Sequence, residues 1–380
     1  MTPEREKKEV LLVGFGAIGA VYSLVIARSG LARITVVARS NFDEINDHGM
    51  HFQSRKYGEV TGWKPDRLCK SVAEAADRSY DYVLVATKAI PDVVTTPMIL
   101  QPFLTAPYID GFRQPVYILL QNGLNVEIDL YHSIKRLGQD PKIVDCCLYI
   151  FCNLLAPDVV EHGESDRLEI GIYRHEDNST LVNATAELDI LNDIATIIKS
   201  GGGTVEIAGE IQRKKFAKDY FNIAYASFAT LTNYTVPAFF RPPPSDQSTQ
   251  YDPYVHPKTA DRIEEYTVGA LRATFAEMES LARALGYPDS EEGIPSSFTK
   301  YALDWNRELH MRPDNTHVPS MLLDARKGLP IECEVIVGEV VRMARKTGVL
   351  VPHIEMLYAL LLVLQNQTLR KMEEVRHRAV

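Results

Sequence analysis

The sequence predicts two domains: an N-terminal α/β domain with a parallel, doubly wound sheet over residues 1–208, and an all-α domain over residues 209–380. Three observations carry this. β-rich runs alternate with helical stretches through the first half, and such alternation builds parallel sheets. A G-x-G-x-x-G run (Gly14, Gly16, Gly19) follows the first apolar run and opens a helix. Past a glycine cluster near residue 200 the alternation stops and long helical stretches take over.

In chain order, "EVLLVG" reads as a strand and residues 17–30 as a helix. "RITVVAR", "YDYVLVAT" and "PVYILLQ" are the next strands, with helical or loop segments before the last two. "KIVDCCLYIFCNLL" and "RLEIGIY" extend the sheet, and "KSGGGTVEIAGE" reads as a turn, a short strand and a hinge. Long helices are expected at about 210–234, 259–286, 320–347 and 353–375. Between the first two lies "PAFFRPPPSDQSTQYDPYVHPK", whose prolines forbid regular helix or central strand. Residues 237–257 therefore read as a Pro-rich surface insertion, and loops of that length are more often functional or disordered than merely connective.

Composition excludes several classes. A chain of 380 residues with 46% hydrophobic and 24% charged residues can bury a full core. The net charge of −9 argues against a general nucleic-acid binder. Five cysteines fit a reducing compartment better than a disulfide framework. Cys146, Cys147 and Cys152 match no zinc spacing and read as a buried strand, so no metal is expected. The N-terminus lacks an apolar signal core, and "MLYALLLVLQ" is too short to span a bilayer. The expectation is a cytoplasmic protein with no membrane partner. Its C-terminal helices are apolar enough either to support a homodimer or to pack on one another.

The glycine run has the context of a dinucleotide loop. Gly14 permits the sharp turn, Gly16 lets the backbone approach a pyrophosphate, and Gly19 lets the helix pack on the strand. The free N–H groups of the helix start, at Ala17 and Ile18, face the phosphates with the positive end of the dipole. Arg39 stands about 20 residues further on, at the end of the second strand, where NAD enzymes place an acid. An arginine there pairs with a 2′-phosphate, so the expected cofactor is NADPH/NADP+. Ser40 and Asn41 stand beside it as further hydrogen-bonding groups. The competing reading leaves Arg39 as a solvated surface charge.

Further residues narrow the chemistry. Lys88 in "TKA" and Asn122 in "QNG" fall at the carboxyl ends of strands, where ligands bind in such sheets. "RKKFAKDYFNIAYASF" places Lys218 and Asn222 four residues apart on one helix face. "PSMLLDARKGLPIECE" carries Ser320, Asp324 and Glu332. From the helix alone Lys214, Lys215 and Lys218 are equal candidates, Lys214 and Lys215 read as solvated charges, and Glu332 reads as a surface glutamate.

In this order the motifs resemble the ketopantoate reductase (2-dehydropantoate 2-reductase) family over nearly the whole chain; "EHGE", with His162 and Gly163, fits its sheet extension. The resemblance implies a Rossmann-type domain and a helical domain of the 6-phosphogluconate dehydrogenase C-terminal type. It implies NADPH-dependent reduction of a 2-oxo acid to a 2-hydroxy acid, as in pantothenate biosynthesis, in an interdomain cleft. Carried over, Lys218 and Glu332 are catalytic, Asn222 and Ser320 contact substrate, and Lys88 and Asn122 line the meeting point of nicotinamide and substrate. The chemistry asks for these types, since a positioned ammonium stabilises charge building on the carbonyl oxygen and delivers the proton.

The chain departs from the family on the substrate side. Ala226 replaces a second asparagine, His317 replaces a frequent asparagine, and the 237–257 insertion replaces a short turn. Asn233 is a candidate substitute for a lost amide. The true substrate is therefore open, as is action on another oxo or imino compound, or a regulator that binds NADPH without turnover.

Overall fold

A computed structural model describes residues 6–245 and 250–378, the side chains to residue 375. The chain divides into two compact units, Met1–Lys215 and Phe216–Val380. The division falls inside the helix Ile211–Phe221, beyond the boundary at 208 expected from sequence.

In the first unit the described strands are β1 (Lys8–Val13), β2 (Ala32–Val37), β3 (Met50–Ser54), β4 (Gly58–Trp63), β5 (Arg67–Cys69), β6 (Tyr82–Val85), β7 (Val116–Leu119), β8 (Ile143–Ala156), β9 (Val159–Ile172) and β10 (Val205–Ile207). They form one sheet in the order β4-β3-β9-β8-β7-β6-β1-β2-β5, with β10 on β9. Strands β5, β2, β1, β6, β7 and the start of β8 run parallel. The pairs β8–β9 and β3–β4 are antiparallel, so the sheet is mixed and not wholly parallel as expected. Only Pro157 and Asp158 separate β8 from β9, and a link that short cannot make a parallel crossover. β10, the short strand expected in "KSGGGTVEIAGE", pairs with β9 and is part of the sheet.

Helix α1 (Ala17–Arg28) packs on β1, β2, β8, β9 and the helix Thr185–Ser200. Its run from Gly19 to Ile26 is buried on all sides, as a helix covering a sheet and covered in turn must be.

The second unit is helical. The lysine helix Ile211–Phe221 continues through a π-helical turn, Asn222–Ala226, into Ser227–Thr232. The helix Gly269–Ala284 follows a second π turn, Ile263–Val268. The helix Ser296–Met311 was not expected; of its fully buried residues Leu303, Asn306 and His310, two are polar. The stretch 320–347 is two helices, Ser320–Arg326 and Glu339–Thr347, the latter preceded by a π turn Glu334–Gly338. Gly328, with φ 66°, and Pro330 stop the first helix. The long helix Pro352–Arg378 closes the unit. Among the described residues no helix is long and apolar enough to cross a membrane.

The insertion does not begin as a surface excursion. Pro237–Phe240 is a short helix with Phe239 and Phe240 buried. Arg241 is 1% exposed and donates from Nη2 to the carbonyls of Arg312 and Asn315, at 2.8 and 2.7 Å. Apolar anchoring of "PAFF" outweighs the prolines that suggested a loop. Residues 246–249 of the expected insertion lie outside the described residues.

Candidate active site

In the first unit the loops after β1, β6 and β7 lie side by side at the carboxyl edge of the parallel strands. Gly14 has φ 101°, and a Cβ there would stand 2.8 Å from Thr87 Cγ2 and 2.9 Å from its amide nitrogen. A Cβ on Gly19 would stand 2.0 Å from the Gly14 carbonyl oxygen, so the helix and loop touch through backbone alone. Gly16 differs: it is exposed, and a Cβ there meets nothing within 4 Å. Ala17 and Ile18 are half-buried behind it. No side chain caps α1, and its first turn holds no acid. The first N–H groups of such a helix lack intrahelical partners and suit an anion.

Arg39 is exposed two residues past β2, and its side chain makes no hydrogen bond or ion pair among the described residues. Asn41 is otherwise than expected. Its amide is buried and donates to the carbonyls of Phe15 and Pro157 at 2.9 and 3.0 Å, so it braces the glycine loop and has no donor to spare. Lys88 is exposed after β6; burial pushes the Cys152 thiol on β8 up to about 12, with the Lys88 charge pulling the other way. Asn122 is half-buried beside Gln121, whose amide donates to the Thr87 carbonyl at 3.1 Å and ties the third loop to the second.

In the second unit Lys218 is half-buried one helical turn before Asn222. Asn222 opens a π turn and donates from Nδ2 to Asp219 at 3.0 Å. This turn packs against both the helix that Ser320 begins and the π turn Glu334–Gly338. Ser320 is exposed, and Glu332, two residues before the π turn Glu334–Gly338, is only 3% exposed. The fold therefore gathers the segments bearing Asn222, Ser320 and Glu332, and Glu332 is no surface residue. π turns recur at functional sites because they re-aim side chains, and two of them flank these residues.

Sequence reasoning missed the surroundings. His310 is fully buried, and neither ring nitrogen has a hydrogen-bond partner among the described residues. Its ring lies 5.8 Å from that of His317 and 6.3 Å from that of Phe221, while His317 and Phe221 are 5.7 Å apart. Burial, with His317 and Arg241 adding to it, pushes His310 down to about 4; burial also lowers His317. Both rings are neutral near pH 7 and form, with Phe221, an aromatic wall directly beside Asn222. Ala226 is 2% exposed and offers no polar group. Asn233 is exposed, and its Oδ1 and carbonyl accept from Arg326 at 2.9 and 2.7 Å. Lys215 corrects the reading of "RKK" as solvated charge, being 3% exposed and paired with Glu127 and Asp145, while Lys214 is exposed.

Two family profiles match the chain: "Ketopantoate reductase PanE/ApbA" over residues 10–175, and its C-terminal counterpart over residues 258–365. The chain belongs to the ketopantoate reductase family. An uncharacterized protein of Saccharomyces cerevisiae is 25% identical, with 94% of this chain and 93% of that one covered. A 2-dehydropantoate 2-reductase of Nostoc sp. is 23% identical, with 93% of each covered. Among solved structures, the 2-dehydropantoate 2-reductase of Methylococcus capsulatus superposes with a TM-score of 0.72 at 22% identity, covering 95% of this chain and 97% of that one. A ternary structure of D-mandelate dehydrogenase with NADH and anilino(oxo)acetate gives a TM-score of 0.69 at 16% identity, covering 95% and 99%. As in ketopantoate reductase structures, a mixed-sheet α/β domain precedes a mostly helical one, and the chain is an oxidoreductase of that family.

Proposed function

We propose that this chain reduces a 2-oxo acid to the 2-hydroxy acid with NADPH, and that its substrate is bulkier and less polar than ketopantoate. The observation that carries the first half is the gathering of the Asn222, Ser320 and Glu332 segments beside Lys218, in a chain whose glycine loop leaves Gly16 open. The loop fits the cofactor: tight where the backbone packs, open where a pyrophosphate would lie, uncapped at the helix start, with Arg39 unengaged for a 2′-phosphate. Gly14, Gly16, Ala17, Ile18, Gly19, Arg39, Lys88 and Asn122 would hold it. NADPH supplies the hydride.

The protein's own groups do the rest. Lys218 holds its ammonium toward the carbonyl oxygen, stabilises the charge that builds there, and donates the proton that completes the hydroxyl. Glu332, buried, orients that ammonium or accepts from the nascent hydroxyl. Asn222 and Ser320 bind the substrate's polar groups, and Asn122 orients its carbonyl.

The second half rests on Ala226 and the Phe221–His310–His317 wall. Amides that meet a substrate hydroxyl discriminate strongly because the wrong ligand leaves them unpaired. Here one such position is an alanine and the other a neutral, half-buried imidazole against aromatic rings. An aryl or branched apolar group suits that wall. The anilino(oxo)acetate of the D-mandelate dehydrogenase structure is a ligand of this class.

The test is NADPH oxidation by the purified protein with a panel of aliphatic, hydroxylated and aryl 2-oxo acids. Turnover is expected to be best on an aryl or branched member. Turnover far faster on ketopantoate than on all others refutes the substrate assignment. Tight NADPH binding without turnover on any member refutes the reductase.

A further inference from the structure

Three residues before Lys218, on the same helix, the structure holds a charge cluster that the reaction does not use directly. Glu127 and Asp145 are both at 0% exposure, and Lys215 is at 3%. Lys215 Nζ lies 2.7 Å from Asp145 Oδ2 and 3.2 Å from Glu127 Oε1. Gln212, one turn earlier, donates from Nε2 to Glu127 Oε1 at 3.0 Å and to Asp145 Oδ2 at 3.1 Å. Two carboxyls that share both donors are immediate neighbours.

Charge counting decides their state. One ammonium faces two carboxyls, and no other cation pairs with either one among the described residues. The nearby Tyr173 phenol and Cys146 thiol are held neutral by burial and by these same carboxyls. With both carboxyls ionised, a net negative charge would sit wholly out of water beside a like charge, which proteins avoid by neutralising one group. Burial first and the Glu127 charge second push Asp145 well up, while Lys215, working against burial, holds Glu127 down. Asp145 nonetheless accepts from Lys215, Gln212 and the Cys146 amide, whereas Glu127 Oε2 accepts from no donor among the described residues. The proton therefore belongs to the pair, not to one residue.

The cluster's position gives it a task. Glu127 immediately precedes the helix Ile128–Arg136, just after the Asn122–Gly123 turn, with its side chain turned to Lys215 and Gln212 and not to the helix start. Asp145 pairs on β8 with Leu119 at the end of β7, the strand that leads to Asn122. Lys215 and Gln212 are on the helix that carries Lys218.

We propose that Glu127, Asp145 and Lys215 form a positioning cluster for Lys218 and Asn122, in which the two buried carboxyls share one proton at neutral pH so that the ensemble is uncharged. The kinetic part rests on the reductase reading above, so two of the three readouts need no turnover. The first is infrared difference spectroscopy of the full chain near pH 7. Either Glu127→Gln or Asp145→Asn removes the carbonyl band of a protonated carboxylic acid, because the remaining carboxyl ionises against Lys215. Loss of a carboxylate band in both variants, with no acid band lost, overturns the shared proton.

The second readout is hydrogen exchange along residues 211–221. The double variant Glu127→Gln/Asp145→Asn leaves Lys215 buried without an anion and is expected to lose at least about tenfold of amide protection relative to either single variant. Equal protection in the single and double variants overturns the positioning role. Should the double variant not fold, Lys215→Met serves: both carboxyls must then be protonated, so its melting temperature falls between about pH 5.5 and about pH 8 more steeply than that of the wild type. Parallel pH profiles overturn the cluster. The third readout is kinetic. The double variant is expected to lose at least about tenfold in kcat relative to either single variant. A wild type inactive on every 2-oxo acid strikes the reductase reading and leaves the first two readouts standing.

Discussion

Arg39→Asp tests the cofactor assignment where the structure makes the outcome easy to read. The Arg39 side chain is exposed and makes no hydrogen bond or ion pair among the described residues, so its replacement removes nothing from the fold. Stability should stay within about 0.5 kcal/mol, as for surface substitutions generally. Any change in cofactor use then reports on the cofactor itself. A charge-assisted hydrogen bond contributes ~1.5–3 kcal/mol, and ~1.4 kcal/mol is a factor of ten. Losing the guanidinium should raise the NADPH dissociation constant by roughly 10- to 100-fold. The introduced carboxylate adds repulsion to a 2′-phosphate, screened within about 8 Å at physiological salt. NADH has no 2′-phosphate and loses neither term, so the NADPH-over-NADH preference should fall by about two orders of magnitude at the upper end. The assay is cofactor titration by fluorescence and initial rates with each cofactor, at low and at high salt. Unchanged preference at unchanged melting temperature refutes the assignment. A weakening equal for both cofactors means that the substitution disturbs the loop instead of meeting a phosphate.

Lys218→Ala should lower kcat by about 10²- to 10⁴-fold while NADPH binds within about threefold of wild type, the signature of a lost proton donor; stopped-flow absorbance separates binding from turnover, and a change confined to KM refutes the role. His317→Asn restores the amide frequent in the family and should raise kcat/KM for ketopantoate relative to an aryl 2-oxo acid by about tenfold or more; an unchanged ratio removes His317 from the substrate wall. His310, pushed down to about 4 by burial, costs the fold in acid, because the unfolded chain binds a proton below about 6.5 that the folded chain refuses. Stability should therefore fall as pH drops from about 6.5 toward about 4, by roughly 3 kcal/mol in all. His310→Phe should flatten that part of the melting-temperature profile, and an identical acid slope in the variant places the acid-sensitive group elsewhere.

The strands that could be read from sequence are those whose burial is continuous. β1, β2, β6 and β7 are near-unbroken apolar runs because helices or other layers cover both faces. β4 contains no buried residue, so "GEVTGW" carries neither an apolar run nor a clear alternation. The mixed character of the sheet turned on a two-residue link between two long strands, a matter of chain geometry and not of hydrophobicity.

The candidate site divides along the same line. The glycine loop was legible because a positive φ at Gly14 and a 2.0 Å approach at Gly19 admit few residue types, so backbone geometry writes itself into sequence. Lys218, Asn222, Ser320 and Glu332 were singled out through a family pattern, since no local rule distinguishes one lysine of "RKKFAK" from its neighbours. Lys215 shows why. Its burial is decided by Asp145, 70 residues away, and by Glu127, 88 residues away. Nothing within a helical turn reveals that a lysine will be buried, because the free energy that permits it lies in carboxyls supplied by other elements. A charge run is solvated only while the fold leaves water beside it. In "RKK" the first residue is largely buried, the second faces solvent and the third enters a dry carboxyl pair. Three adjacent cations thus meet three environments, because successive helix positions turn by about 100° and only one of them here points between β8 and the Glu127 helix start. The same rotation brings Lys218 round one turn later, near the face set by Lys215. A lysine whose charge the fold has paired thus stands three residues before the proposed catalytic lysine, on the same helix.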